Sequence, residues 1–246
     1  MAETRERERN SLFLLFGRCK PIDLPKVRLN TKTSTLKTTI NMTTPFSEKA
    51  TGLRLSYPEY YNHVTELVAN GATSGNEQTA ALIGYTSLNL KRMTRLDKTF
   101  RLSDVLRNQL DALAEKQNWW VITEAWCGDS AQNLSTIAGI AAASNGKIEL
   151  TVVFRDENPE LMDAYLTNGS RSIPKLVAFS ESGEELFTWG PRPKAAHELL
   201  LQWKQDPQGK TWEDFEMELH TWYAKDKAKS LQAEFQVLLG KHVEVV

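Results

Sequence analysis

Between Tyr57 and Lys116 apolar residues return every three or four positions, whereas beyond Trp119 they fall in short unbroken or alternating blocks. The first regime predicts helices and the second predicts strands interleaved with helices. In the first, Pro58 suits an opening helical turn, Tyr61, Val64, Leu67 and Val68 share a face, and Asn70-Gly71 ends the element. A second helix is expected over Glu77 to Met93. A third is expected over Ser103 to Lys116, with Ser103 as N-cap and Val105, Leu106, Leu110 and Leu113 as its apolar face.

After Trp119 the order becomes βαβαββα. Trp119 to Ala125 reads as a buried strand and Ser130 to Ser144 as a helix ending at Asn145-Gly146. Lys147 to Phe154 reads as a second, β-branched strand. Asn158-Pro159 starts a helix that runs to about Asn168-Gly169, with Asn158 as cap. Pro174 to Ser180 and Glu184 to Trp189, joined through Ser182-Gly183, form an antiparallel hairpin. Pro193 to Trp203 is a closing helix. Thr211 with Asp214 then caps a long helix with Trp212, Phe215, Leu219 and Trp222 on its apolar face. Leu231, Phe235 and Leu238 resume the pattern after a charged interval, and packing onto the domain is the expected role of this face. The fold class expected is α/β, a mixed central sheet flanked by helices. The division expected is a disordered tail over 1–44, a helical extension over 45–101, the α/β domain over 102–204 and a second helical extension over 205–246.

Composition narrows the function classes. The 246 residues are 41% hydrophobic and 25% charged, with a formal net charge of −1. A balanced charge gives no electrostatic pull toward nucleic acid or an anionic membrane. No apolar run reaches the 18 or so residues of a membrane span. The run Ser11 to Gly17 is short for a secretory signal, and three glutamates precede it among the first nine residues, unlike a transit peptide. The expected localisation is cytoplasmic. Leu29 to Thr44, rich in Thr, Lys and Asn, reads as poorly structured, and Met42 is an alternative start. Two cysteines, Cys19 and Cys127, make no disulfide framework.

The chemistry gathers at one of them. Trp126-Cys127-Gly128-Asp129-Ser130 lies between a strand and a helix, and Ile173-Pro174 opens a strand about 45 residues later. This pair of motifs, in this order, resembles the thioredoxin family, with its W-C-G-P-C motif followed by I-P-T. The resemblance covers Ser103 to Trp203. It extends to bacterial thioredoxin-like proteins that wrap the domain in helices at both ends. It implies a thioredoxin fold and a reactive cysteine at a helix N-terminus, where free amides stabilise a thiolate and lower its pKa. It further implies that Trp126 shields one side of the sulfur, that Pro174 is a cis-proline beside it, and that the backbone of Ile173 holds an extended substrate chain. The resemblance likewise implies that Gly128 and Asp129 belong to the substrate-binding turn.

Three departures from the family pattern shape the expected chemistry. Ser130 stands where the resolving cysteine would be. Its hydroxyl can donate a hydrogen bond to a Cys127 thiolate but cannot attack a mixed disulfide. Val121 stands where the family keeps a buried aspartate, and Glu124 reads as a strand-end carboxylate in another register. Asp129 replaces the family's proline; it disfavours a nearby thiolate yet suits a helix N-terminus. Arg171 and Lys175 flank Pro174 and could offset that charge, although surface solubility is the plainer role.

The leading expectation is therefore a single nucleophilic cysteine, Cys127, exchanging with protein or low-molecular-weight thiols and disulfides, an external thiol completing the cycle. Ser130 would assist. One alternative is a non-catalytic module that holds an extended partner segment by strand addition at the cis-proline groove. Another is iron–sulfur binding with glutathione, by analogy with C-G-F-S glutaredoxins. A resolving role for Cys19 is opposed by the loop-closure cost of a long disordered connection. No resident cofactor is expected, and His63, His197, His220 and His242 lack zinc-ligand spacing to Cys127. No phosphate loop, nucleotide fingerprint or serine-hydrolase elbow occurs.

Overall fold

In the computed structural model residues 45–243 are described. The tail expected over 1–44, with Cys19, the apolar run Ser11 to Gly17 and Met42, lies outside them. A short helix α1 (Pro45–Lys49) and a two-residue strand β1 (Arg54–Leu55) precede three helices, α2 (Tyr57–Ala69), α3 (Ala80–Thr99) and α4 (Asp104–Asp111). There follow β2 (Gln117–Thr123), α5 (Gly128–Ala143), β3 (Ile148–Phe154), α6 (Pro159–Ala164), β4 (Lys175–Ser180), β5 (Glu185–Trp189) and α7 (Lys194–Gln205). The chain closes with α8 (Trp212–Asp226) and α9 (Lys229–Leu239).

The sheet order is β1-β3-β2-β4-β5, with β2 and β3 parallel and every other pair antiparallel. This is the mixed α/β architecture that the pattern implied, with β1 added at one edge. Strand β2 sits in the middle because both of its faces are apolar. Trp119 and Val121 point into one cluster, Trp120 and Ile122 into another, as the two-residue period of a strand requires. The first face is covered by α2, α3, α4, α5 and α9 through residues such as Tyr60, Met93, Leu110, Ile137 and Phe235. The second carries α1 and α6, with Phe46, Leu161 and Met162, and includes Cys127. Helices α7 and α8 form a third apolar cluster of their own, from Ala196, Phe215, Leu219 and Tyr223.

Several boundaries move for identifiable reasons. Helix α3 begins after Thr79, whose hydroxyl accepts from the Leu82 amide, and runs on to Thr99. Helix α4 stops at Asp111, and Val105 is 55% exposed rather than part of its buried face. Asn158 does not cap α6 with its side chain: it accepts from the Thr51 amide at 2.7 Å and donates to the Phe154 carbonyl at 2.7 Å. It ties the chain before β1 to the end of β3, and α6 ends at Ala164. The long C-terminal helix is two helices. Lys227 and Ala228 both adopt left-handed backbone, with φ of 52° and 60°, which an α-helix cannot continue through. The Thr211–Asp214 capping box forms as the spacing suggests. Among the described residues no helix is long and apolar enough to cross a membrane.

Candidate functional site

Strand β2 delivers Trp126 and Cys127 to the start of α5. Cys127 has extended backbone and is itself the N-cap, so its Sγ accepts from the Ser130 amide at 3.5 Å. The same thiol donates to the Ile173 carbonyl at 3.4 Å. The Ile173–Pro174 peptide is cis, as is Gly190–Pro191. Gly190, with φ of +117°, lies where a Cβ would come within 2.1 Å of the Pro174 carbonyl oxygen. Only glycine permits that approach, which packs the loop after β5 directly on the loop before β4. Two chain segments, 126–130 and 173–174, thus meet at the sulfur, and a third, 190–192, packs on Pro174 and reaches Asp129.

The sulfur is not the exposed, acidified thiol that its helix-end position suggests. Cys127 is 8% exposed, packed in the cluster with Ile173, Leu161 and Met162. Burial pushes the thiol up to about 11, and the charge of Asp129 adds to this. The Ser130 hydroxyl and the Ser130 and Asp129 amides act in the opposite direction and are outweighed. Desolvation of a thiolate exceeds what the helix end returns. The Ser130 hydroxyl is close enough to favour a thiolate, yet its buried oxygen makes no hydrogen bond of good geometry in the thiol form.

Asp129 is fixed from two sides. Its Oδ2 pairs with the Arg192 guanidinium, with Nε at 3.0 Å, and its Oδ1 accepts from the Tyr223 hydroxyl at 2.7 Å. Asn133 donates to both the Asp129 carbonyl at 2.8 Å and the Tyr223 oxygen at 3.1 Å. The cation that offsets Asp129 is therefore Arg192, from the loop after β5. Arg171 is exposed and bound bidentately to Asp163, and Lys175 is buried at the start of β4, so neither meets Asp129 and Lys175 is no surface residue.

Helices α3 and α8 close over the turn. A Cβ on Gly128 would lie 3.0 Å from Cε1 of His220 and 3.4 Å from Nη1 of Arg92. His220 Nδ1 is 3.1 Å from Gln132 Nε2. Asn89 of α3 donates to the Ala125 carbonyl at 2.9 Å and holds Arg92 at 2.8 Å. Burial, and then Arg92, Arg192 and Arg95, push the His220 imidazole down to about 4.

On the other side Trp126 carries the Arg155 guanidinium 4.8 Å above its ring. The two line an open groove of about 420 Å³ with Asn76, Glu77, Asp156 and Arg171. Glu124 is fully buried at the end of β2. It accepts from the Ser74 hydroxyl and, at 2.9 Å, from the Asp156 amide, and burial raises its pKa. Val121 is buried in apolar surroundings. All seven residues singled out by motif, Trp126 to Ser130 with Ile173 and Pro174, lie in this one region. Arg192, Tyr223 and Arg92 carry no motif, and His220 entered the sequence reading only as a rejected zinc ligand; the Gly-Pro-Arg-Pro run directly after β5 was the one available signal.

The sequence model of the thioredoxin family matches residues 75–207, more than half of the chain. The chain belongs to the thioredoxin family. Thioredoxin 1 of Nostoc sp. (strain PCC 7120 / SAG 25.82 / UTEX 2576) is 30% identical over 106 residues, which are 43% of this chain and 90% of that thioredoxin. Two solved structures align at 17% identity over 76% of this chain. One is a Pseudomonas aeruginosa protein of unknown function, covered to 98% with a TM-score of 0.48. The other is an HIV epitope-scaffold, covered to 99% with a TM-score of 0.46. Within this thioredoxin-family chain, no group of three or more His, Cys, Asp or Glu side chains is placed to hold a metal ion among the described residues.

Proposed function

We propose that this chain is a monothiol thioredoxin-like protein of the bacterial, helix-wrapped kind, acting in the cytoplasm through Cys127 alone. The observation that carries the reading is the position of Sγ, between the Ser130 amide at the α5 N-terminus and the Ile173 carbonyl, with serine at 130. In the first step the Cys127 thiol loses its proton to solvent and the thiolate attacks one sulfur of a disulfide R–S–S–R. A Cys127–S–S–R bond forms, the S–S bond breaks, and R–S⁻ leaves and takes up a proton. Ser130 cannot perform the next attack. An external thiol, such as glutathione, attacks the mixed disulfide, releases Cys127 and carries R away as a new disulfide. The Ile173 backbone would align an extended partner chain, with Trp126, Gly128 and Asp129 forming the facing turn. The helical segments 45–101 and 205–246 are read as additions to a thioredoxin-like domain over 102–204.

Incubation of the native protein with oxidised glutathione, followed by peptide mass spectrometry, tests this reading. One glutathione on Cys127 is expected, formed slowly at pH 7 and faster as the pH rises toward 11. An unmodified Cys127 after prolonged incubation at pH 9 would overturn it.

The second reading, binding without turnover at the same groove, draws on the burial of the thiol. It predicts that Cys127→Ala captures the same partners with equal affinity. An iron–sulfur role has no comparable support, because a thiolate shared with a second chain must be exposed and Cys127 is not.

A further inference from the structure

We infer that α8 is a lid fastened over the Cys127 turn through Asp129, and that its release opens the approach to the thiol past Gly128 and Asp129. The regulatory meaning rests on the thiol-exchange reading above, whereas the cover itself does not.

The lid and the body are held together by different physics. Helices α7 and α8 share an apolar cluster of Ala196, Phe215, Leu219 and Tyr223, with Leu199, Leu200, Trp203 and Trp222 around it, separate from the two clusters that sandwich the sheet. Moving the pair as a unit leaves that cluster intact. What holds α8 to α3 and α5 is a set of side-chain hydrogen bonds. They run from Tyr223 to Asp129 at 2.7 Å, Asn133 to Tyr223 at 3.1 Å, Gln132 to His220 at 3.1 Å and Tyr85 to Glu216 at 2.9 Å. Each of these groups can exchange its partner for water when the helix moves away.

The ends of the pair are built for a change of direction. At one end Lys227 and Ala228 break the helix in left-handed backbone, strained for residues other than glycine. Beyond them α9 is anchored in the main core by Leu231, Phe235 and Leu239. At the other end, after the 190–193 loop, the amide of Lys194, the first residue of α7, donates to Glu234 of α9 at 2.6 Å and ties that end of the pair to the body.

Asp129 is the latch because it joins all three parts. It belongs to the active-site turn, it receives the Tyr223 hydroxyl of α8, and it pairs with Arg192 from the loop packed on Pro174. With His220 and Arg92 against Gly128, the approach to the turn is closed on that side. A partner chain that enters between the turn and the 190–192 loop must part Asp129 from Arg192, and the carboxylate that accepts from Tyr223 then loses its counter-ion and is free to turn away.

Tyr223→Phe tests the lid, since it removes the hydroxyl and keeps the ring in its cluster. The readout is the rate of iodoacetamide labelling of Cys127 in the native protein from pH 7 to 11, followed on the Cys127 peptide. Labelling at least tenfold faster at every pH, with an unchanged midpoint, is expected. An unchanged rate would overturn the lid, as would a gain that comes only from a shifted midpoint, which marks an electrostatic effect. Should Tyr223→Phe fail to fold, Gln132→Ala, which frees His220, carries the same expectation and the same refuting outcomes. Faster labelling without any glutathione adduct would remove the thiol-exchange reading and leave the lid. An adduct with unchanged labelling would do the reverse.

Discussion

The two C-terminal helices invite comparison, because sequence pattern alone joins them and the structure gives them opposite roles. Helix α9 is part of the main core. Phe235 is fully buried, with its ring 5.4 Å from Trp119 and 5.7 Å from Trp189. Helix α8 leaves Trp212 and Met217 exposed, packs its apolar side on α7, and reaches the body through hydroxyl, amide and imidazole groups. The difference is between a helix that belongs to the main core and one that is attached to the turn around Cys127. Apolar contact is hard to trade, while a hydrogen bond can be exchanged for water.

The largest expected effect lies on the α9 side. Phe235→Ala should cost about 3–5 kcal/mol of global stability, read from denaturant unfolding, because it removes a fully buried aromatic ring from between two tryptophans. A loss below about 1 kcal/mol would mean that α9 is as loosely held as α8, and the comparison would fall.

The next effect belongs to α8 and comes from pH. His220 titrates near 6.5 when unfolded and near 4 in the folded protein, because it is buried beside three arginines. The unfolded chain therefore binds the extra proton first as the pH falls. The contribution is fully present above 6.5 and is lost progressively down to 4, by at most about 3 kcal/mol. His220→Gln should remove that part of the acid dependence while leaving stability at pH 8 nearly unchanged. Urea midpoints measured at the two ends of the window check this, and an identical acid slope in the variant would contradict it.

The smallest effect is the stability cost of Tyr223→Phe. The hydroxyl makes one charge-assisted bond to Asp129, so about 1–2 kcal/mol is expected. Thermal melting reads it. A loss as large as that from Phe235→Ala would mean that α8 supports the whole fold rather than covering one site.

How much of this could be read from sequence follows from the range of the contacts. Strand β2 was legible because Trp119 to Ile122 are apolar on both faces, and the turn around Cys127 because five consecutive residues carry it. Strand β1 was not, since two residues give no period. The split between α8 and α9 was hidden because Lys227 and Ala228 are ordinary helix formers by type. The partners of the turn were out of reach for another reason. Arg192 lies 63 residues from Asp129, Tyr223 lies 94 from it, and His220 lies 88 from Gln132. Position at a helix end was legible and burial was not, and burial decides the state of the Cys127 thiol.

The central claim is that chemistry at Cys127 stops at a mixed disulfide because residue 130 bears a hydroxyl. Comparison of the native protein with Ser130→Cys, each treated with oxidised glutathione and analysed by intact and peptide mass, tests it most directly. The native chain should retain one glutathione on Cys127. The Ser130→Cys chain should lose it and close a disulfide between positions 127 and 130. Retention of glutathione by both proteins, or no adduct on the native chain, would contradict the claim.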